Sequence, residues 1–542
     1  MDLISTFIAP RQASSRRGWL RHCCALAATL CFGACAVGPD YQKPSIQVPQ
    51  SFKEGADWQR AQANPQGSLA SDWWSVYHDD KLTELIEQSQ KANQSIAASE
   101  AAYRLALAIV DANTATLFPV VTAGLSASRT GVGSGFSPSA TSGAGGGAGV
   151  STGGGVSNNF SALASASWEV DLWGAIRRQI EAAKGSAQAS DAQLAGVRLS
   201  IAASVAIDYF ELRQADIDIL LLKQQQDIDN RILDMTRASF TQGQASSDQV
   251  LDAQDTLEVV VADLQTSQIA REQDEHAIAV LVGVPPGDFT VASDPSYAFR
   301  LPDVPLALPS QLLERRYDVV SAERTAASAN ATIGVAEAAF FPTLTLSAEG
   351  GFQHNTFAHL FSLPSRLWTL GPDLAETIFD GGARTAAVRE ARATYDEDVA
   401  TYRNTVLTAF QSVEDSLSTV NHLKQQQQAF ANILQRNRQL FASEQAQLQA
   451  GAVSQQDLLT EQLTLLQAEE NLNDTQGLLT QGSVGLIKNL GGGWQWGDTK
   501  AGDAKPASDA RAGDVKTSAA TGEHVASERG GSAAKLDDTA LK

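Results

Sequence analysis

The sequence predicts a mainly α-helical chain that also carries strands for a membrane β-barrel, built from two internal repeats. Three observations predict it. Segments recur at a nearly constant offset, long stretches carry a seven-residue apolar seam, and four short stretches alternate apolar and polar residues.

The elements follow in chain order. All four cysteines (Cys23, Cys24, Cys31, Cys35) fall within the first 35 residues, which excludes a disulfide framework spread through a folded region. No His or carboxylate cluster with ligand spacing accompanies them, so a zinc site is excluded too. Arg11, Arg16, Arg17 and Arg21 form a basic start, followed by an apolar stretch from Cys23 to Gly33 that is too short to span a bilayer. Ser15 to Leu20 also resembles a twin-arginine signal, but a plain basic region accounts for it. Phe32-Gly33-Ala34-Cys35 resembles a bacterial lipobox, with Phe32 where Leu is usual. Cys35 is then the acylated first residue of the mature chain, and Ala36 after it favours outer-membrane sorting. Residues 1–34 are thus read as signal and residues 35–79 as a lipid-anchored N-terminal segment.

Two repeats follow, at 80–290 and 310–496, joined by a connector at 291–309 that is punctuated by Pro295, Pro302, Pro305 and Pro309. Trp173 to Arg177 matches Asp380 to Arg384 at an offset of 207. Gly243-Gln244-Ala245-Ser246 matches Gly451-Ala452-Val453-Ser454 at 208, and Leu281-Val282-Gly283 matches Leu490-Gly491-Gly492 at 209. Phe118-Pro119 recurs as Phe341-Pro342 at 223, because the first copy carries a Gly/Ser-rich insert near 131–157. Residues 497–542 have the composition of a disordered tail.

Each repeat reads as helix, strand, strand, long helix, helix. Ile176, Ile180, Ala183, Ala187, Leu194, Val197 and Ile201 form one seam, and Val388, Tyr395, Val399, Tyr402, Val406, Ala409 and Val413 form the other. An uninterrupted helix from Gly174 to Thr241 would be on the order of 100 Å long, too long to bury itself in one compact domain. In the strands, Phe160, Ala162, Ala164, Ala166, Trp168 and Val170 alternate with Ser161, Ser165, Ser167 and Glu169. Leu344, Leu346, Ala348 and Phe352 alternate likewise with Thr343, Thr345, Ser347 and Glu349. Such strands suit a barrel with lipid outside and water inside. Four strands cannot close in lipid, so the count demands an oligomer. A dimer gives a barrel filled by side chains, and a trimer gives an open conduit.

Composition narrows the function. With 40 Lys+Arg against 61 Asp+Glu, the formal charge of −21 argues against nucleic acid. Loss of residues 1–34 removes four Arg and one Asp, taking the charge to −24 (−21 − 4 + 1). At 43 % hydrophobic and 19 % charged, the chain is too polar for an inner-membrane transporter. No nucleophile–base pair stands out. His354 and His359 lack the glutamate of a zinc-protease helix, and Gly143 to Gly149 sits in low-complexity sequence without a strand-to-helix context. No enzyme activity, cofactor or metal is expected.

At this point the residues resemble a known family. Leu312-Leu313-Glu314-Arg315-Arg316-Tyr317-Asp318, Ala322-Glu323-Arg324, Ile333-Gly334 and Phe341-Pro342 resemble the TolC-like outer membrane factors of tripartite efflux systems, most closely their NodT/OprM lipoprotein branch. Val37-Gly38-Pro39-Asp40-Tyr41, Asp72-Trp73-Trp74 and Ile378-Phe379-Asp380-Gly381-Gly382 add to the match, which covers roughly 35–495. Tyr317 stands where the family usually has Pro.

The resemblance implies a homotrimer with a twelve-stranded outer-membrane β-barrel continued by a twelve-helix periplasmic coiled-coil tunnel. It implies passive conduction of drugs or other small toxic compounds, driven by an inner-membrane pump, usually proton-coupled, through a periplasmic adaptor (membrane fusion protein). Gly243, Ser246, Gly451 and Ser454 would be adaptor contacts at the helix-reversal tips. Asp457 matches a pore-lining aspartate of the periplasmic constriction, while Thr460 replaces a second acid common in relatives. Asp248, Asp252 and Asp255 crowd the equivalent stretch of the first repeat. Three-fold symmetry would gather such carboxylates into a cation-attracting ring. The competing readings are a duct for protein secretion and a non-conducting trimeric coiled-coil surface protein.

Overall fold

The computed structural model describes residues 36–49, 52–54, 72–131, 156–302 and 316–493. The expected signal, Cys35, most of the Gly/Ser-rich insert, the stretch from Leu312 to Arg315 and the tail at 497–542 lie outside the described residues. Seven helices and four strands carry the fold among the described residues. In order they are α1 (Asp80–Ala92), α2 (Gln94–Ala115), β1 (Val120–Gly131), β2 (Val156–Val170), α3 (Ala175–Thr241), α4 (Ser247–Leu281), α5 (Tyr317–Ala338), β3 (Thr343–His354), β4 (Arg366–Ala375), α6 (Ala383–Gln449) and α7 (Gln455–Asn489).

The duplication is visible in the lengths. α2 and α5 have 22 residues each, α3 and α6 have 67 each, and α4 and α7 have 35 each. Both 67-residue helices span about 100 Å at ~1.5 Å per residue. Each begins on a left-handed glycine, Gly174 (φ 85°) and Gly382 (φ 93°). Behind each glycine an aspartate closes the first turn. Asp171 accepts from the Ile176 and Arg177 N–H groups at 3.2 and 3.1 Å and from Arg177 Nε at 3.1 Å. Asp380 does the same with the Gly382 and Arg384 N–H groups at 2.8 and 3.2 Å and Arg384 Nε at 2.7 Å. The carboxylate satisfies first-turn donors that have no partner within the helix.

The strands form one antiparallel sheet in the order β1-β2-β3-β4. Its register sorts the faces as the alternation predicts. Leu125, Ala162 and Phe352 lie side by side on one face, with Ala123, Ala164, Gly350 and Trp368 in the next row. The opposite face is polar, with Thr122 and Ser165 hydroxyls 2.8 Å apart and Ser126 and Ser161 hydroxyls 2.7 Å apart. Among the described residues, β1 and β4 are the two open edges.

The helix seam needs correction. A single seven-residue stripe predicts one buried face on each long helix. α6 follows it, burying Val399, Tyr402, Val406, Ala409 and Val413, with Val388 and Tyr395 half-buried. The middle of α3 is instead buried on several sides, including Leu199, Ala202, Ala203, Val205, Ala206, Tyr209 and Phe210, while Val197 and Ile201 are only half-buried. The physical reason is position: α3 packs against α1, α2, α4, α5 and α7, whereas α6 meets chiefly α5 and α7 along its length.

The largest core lies around the middle of α3. There Trp73, Tyr77, Leu82, Leu85 and Ile86 pack on Tyr209, Phe210 and Leu212, with Leu417, Leu479 and Ile487 from the second repeat. Trp73 is 1 % exposed, so the short turn Trp73–Tyr77 belongs to this core. The connector is bolted on beside it. Asp216 accepts from Arg271 Nε at 2.8 Å, Arg213 Nη1 at 3.0 Å and the Asp294 N–H at 3.0 Å. Arg271 Nη2 in turn donates to the Val291 carbonyl at 2.8 Å. α5 starts at Tyr317 despite the absence of proline, and its ring fills the space over Gly196, where a Cβ would lie 2.2 Å from Tyr317 Cδ2.

Candidate functional site

The chain reverses twice at the ends of its long helices, and the two reversals are built alike. Gly243 and Gly451 adopt φ 71° and 70°, the left-handed region that glycine enters without a Cβ clash. A Cβ at either would meet nothing within 4 Å, so the backbone angle alone requires glycine. The Gln244 N–H then donates back to Ser239 O, and the Ala452 N–H to Gln447 O, both at 2.9 Å.

Ser246 and Ser454 cap the returning helices as the sequence suggests, and each belongs to a reciprocal capping box. In the first, the Gln249 N–H donates to Ser246 Oγ at 3.2 Å and the Ser246 N–H to Gln249 Oε1 at 2.8 Å. In the second, Asp457 takes the place of Gln249. Its N–H donates to Ser454 Oγ at 3.1 Å, and its Oδ2 accepts from the Ser454 N–H at 2.9 Å and Oγ at 2.7 Å. Those bonds hold the exposed Asp457 carboxyl below the usual carboxylate range. The gate candidate is therefore also a cap. Asp248, Asp252 and Asp255 lie on the exposed first turns of α4, on the other hairpin. Thr460 Oγ1, one turn further on, donates to Gln456 O at 3.0 Å.

At the opposite end, the segment after Cys35 is strapped into the seam between α3 and α5. The Val37 N–H donates to Trp173 O at 2.9 Å, and Asn330 Nδ2 donates to Pro39 O at 2.9 Å. Buried Arg178 donates to the Val37 and Gly38 carbonyls and pairs with Asp40 at 2.9 Å. Tyr41 OH donates to Glu323 Oε1 at 2.6 Å. Gly38 (φ 101°) is required by space as well as angle, since a Cβ there would sit 2.4 Å from Gly334 Cα. Trp173 closes this junction by stacking on Phe341 at 4.7 Å and donating to Pro342 O at 2.9 Å.

Several groups between these ends escaped the sequence reading. Asp218 on α3 accepts from Asn473 Nδ2 at 2.6 Å, and Asp474 accepts from Gln214 Nε2 at 2.9 Å. Burial, with Asp474 beside it, pushes the Asp218 carboxyl up to about 7. Burial and the neighbouring Glu211 and Asp208 push Asp274 to about 7, and burial with Glu211 pushes Asp208 to about 6. The signal was present as acids at helical spacing, but only the packing of α3, α4 and α7 shows which of them are shielded. His354, at the end of β3, and His359, in the β3–β4 loop, have ring centroids 5.6 Å apart, and His354 Nδ1 is committed as acceptor to the Thr356 N–H at 3.0 Å. Among the described residues no group of three or more His, Cys, Asp or Glu could hold a metal ion, and no helix is long and apolar enough to cross a membrane.

A sheet with one apolar and one polar face, set on helices about 100 Å long, defines a protein that joins a membrane barrel to a helical conduit. The family model described as outer membrane efflux protein matches residues 85–284 and 308–492, and the chain belongs to that family. It is 30 % identical over 468 residues to a probable efflux pump outer membrane protein, TtgC, of Pseudomonas putida, covering 85 % of this chain and 93 % of that one. It is 31 % identical over 479 residues to the pyoverdine export outer membrane protein OpmQ of Pseudomonas aeruginosa, covering 87 % and 96 %. Among solved structures, the outer-membrane channel OprN superposes with a TM-score of 0.73 at 28 % identity, covering 85 % of this chain and all of that one. The Campylobacter jejuni CmeC outer membrane channel shares the fold, with a TM-score of 0.77 at 23 % identity over 86 % of this chain and 96 % of that one.

Proposed function

We propose that the chain is the outer-membrane exit duct of a tripartite efflux pump and works as a homotrimer. The observation that carries the reading is the pair of open edges, β1 and β4, on a sheet with one apolar and one polar face. Open edges have no place in lipid, and each of three copies would close the edge of the next into twelve strands around a wet lumen. The names of the relatives, which include efflux pump and export outer membrane proteins, support the same reading.

Conduction would be passive and non-enzymatic, with drugs or other small toxic compounds delivered by an inner-membrane pump, proton-coupled, through a periplasmic adaptor. The capped tips at Gly243, Ser246, Gly451 and Ser454 are rigid, exposed reversals suited to that adaptor. Asp457, with Asp248 and Asp252, would form the constriction there, favouring cations by charge. Acylation of Cys35 fits the strap, because Val37, two residues on, is tied to Trp173 at the base of the sheet.

Single-channel recording from the purified trimer in planar bilayers tests the duct. Closed wild-type channels that open in Asp457→Ala are expected; silence in both would overturn the gate, and a monomer in detergent would overturn the trimer. Deleting the gene and screening a toxicant panel should give sensitivity that is restored by the wild-type chain. Mass spectrometry of the mature N-terminus should find acylated Cys35, and an unmodified N-terminus would remove the anchor from the reading.

A further inference from the structure

We propose that the outer rim of the sheet, on its apolar face, binds phosphorylated lipid headgroups of the outer leaflet through Arg129 and Arg366. This rests on the duct reading, which sets the apolar face in lipid and the long helices on the periplasmic side. The helices join the sheet at one end only: β1 follows α2, β2 leads into α3, β3 follows α5 and β4 leads into α6. The paired ends Gly131 and Val156 and the β3–β4 loop lie at the other end, which is the outer rim.

Charge sorts between the two faces. The register puts Glu169, Glu349 and Asp373 on the polar face. The apolar face carries instead Arg129 opposite Asn158, Arg366 opposite Phe352 and His354 opposite Phe160, all at the rim end of their strands. The sequence widens the asymmetry. From Ala112 to Trp168, and from Gly350 to Pro372, the chain holds no Asp or Glu, although its formal charge is −21. Both arginines are exposed, and among the described residues neither has a carboxylate on its own face of the sheet. Deep in lipid, a charge so placed is costly. At headgroup level its match is an anionic phosphate, which a guanidinium binds in bidentate fashion.

The height agrees. Below Arg366, the same face of β4 runs through the exposed Trp368, Leu370 and Leu374. Leu374 is eight residues away (374 − 366), about 26 Å along the strand at ~3.3 Å per residue. A tilt of ~40° makes this about 20 Å of height, so Arg366 stands near the outer edge of an apolar band about 25 Å tall. The loop completes a ledge there. Phe357 packs on Phe160 with ring centroids 5.8 Å apart, and Phe361 on Phe352 at 5.6 Å. Two loop aromatics thus fold over the apolar face while staying 69 % and 67 % exposed. Acyl chains can lie against these rings while the phosphate meets the arginines; a soluble anion would leave the rings unused.

Titrating the detergent-solubilised full-length trimer with bisphosphorylated lipid A, its dephosphorylated form and inorganic phosphate tests the site. The bisphosphorylated lipid should saturate, and removing its phosphates should weaken binding roughly tenfold. R129Q/R366Q should lose about as much, whereas R104Q/R389Q, which removes equal charge from exposed positions on α2 and α6, should bind as wild type does. Equal affinity with and without the phosphates, or equal losses from the two double variants, would overturn the proposal. Saturation by inorganic phosphate at the concentration that suffices for the lipid would do so too, since the site would then take a free anion. The wild-type comparison of headgroups decides the matter if R129Q/R366Q fails to assemble. A wild-type monomer by light scattering would instead remove the duct reading beneath, while a trimer indifferent to the phosphates removes this site alone.

Discussion

The two repeats are the same length element by element and differ in what surrounds them. α3 is buried on several sides along its middle, whereas α6, its counterpart, keeps much of its surface open and exposes Leu407 and Leu440. Sequence alone would rank them as equals. The difference fits the proposed ring of copies. Within one protomer the first long helix is flanked by more helices than the second.

Chemistry separates them as well. The buried ion network sits in the first repeat, where Asp216 binds Arg213 and Arg271. The Asp294 N–H, with Arg271, holds the Asp216 carboxyl below its ordinary range in spite of burial. At 208 positions on, Asp216 becomes Lys424, Arg213 becomes Asn421 and Arg271 becomes Leu479, so the second repeat has no copy of the network. Asp216→Ala should therefore disturb the protein more than any substitution at the helix contacts or the tips. Buried Arg213 would lose its carboxylate and half-buried Arg271 would keep only Glu275, at a cost of about 3–5 kcal/mol, and the connector would loosen from α3 and α4. Thermal melting of the assembled protein, with limited proteolysis at 289–297, measures both. A loss of less than about 1 kcal/mol would mean that the network stabilises no more than a surface pair does.

A smaller, pH-dependent contrast lies at the contact of α3 with α7. Asp218, near 7, has a folded value above that of a free carboxyl, and Asp474 is raised by the same burial. The folded state thus binds more protons than the unfolded chain between about pH 4 and 7. Their contribution to stability should therefore be full below about pH 4, decline as pH rises through the window, and level off above 7. Asp218→Asn, which keeps an acceptor for Asn473 and removes the charge, should flatten the profile and raise the melting temperature by about 2–4 °C at pH 8. Melting curves from pH 5 to 9 check this, and a wild-type profile that rises with pH would contradict the assignment.

Much of this was legible in the residues. The two turn glycines, the serine caps, the strand faces and the repeat offset all follow from local chemistry, because each is set by one or two residues acting on their own backbone. The misses were of a different kind. Pairing Trp173 to Arg177 with Asp380 to Arg384 gives an offset of 207, but strand register and helix starts give 208. The clasps explain the slip: Asp171 reaches its arginine six positions on and Asp380 four, with one position of the difference before the left-handed glycine and one after it. Likewise the seam of α3 looked one-sided because heptads report a helix's best face and not how many neighbours it has. The shielded acids were invisible for the same reason.

The smallest expected effect is at the tips, and it is where the two repeats can be told apart most cleanly. Ser246→Ala and Ser454→Ala each remove one cap and should cost about 1 kcal/mol, nearly equally, since the backbones match. The boxes differ only in their third residue, neutral Gln249 against charged Asp457. Asp457→Asn retains an oxygen acceptor for the Ser454 N–H while deleting the charge. If the carboxylate serves only the cap, D457N and S454A should change melting slightly and leave conductance alone. If it also lines a constriction, D457N should alter cation selectivity and conductance with little change in melting, while Gln249→Ala weakens its own cap and leaves selectivity untouched. Bilayer recordings of D457N beside Q249A separate the two roles. Equal changes in selectivity from both would mean that the tips act through their shape, and that the charge at Asp457 is incidental.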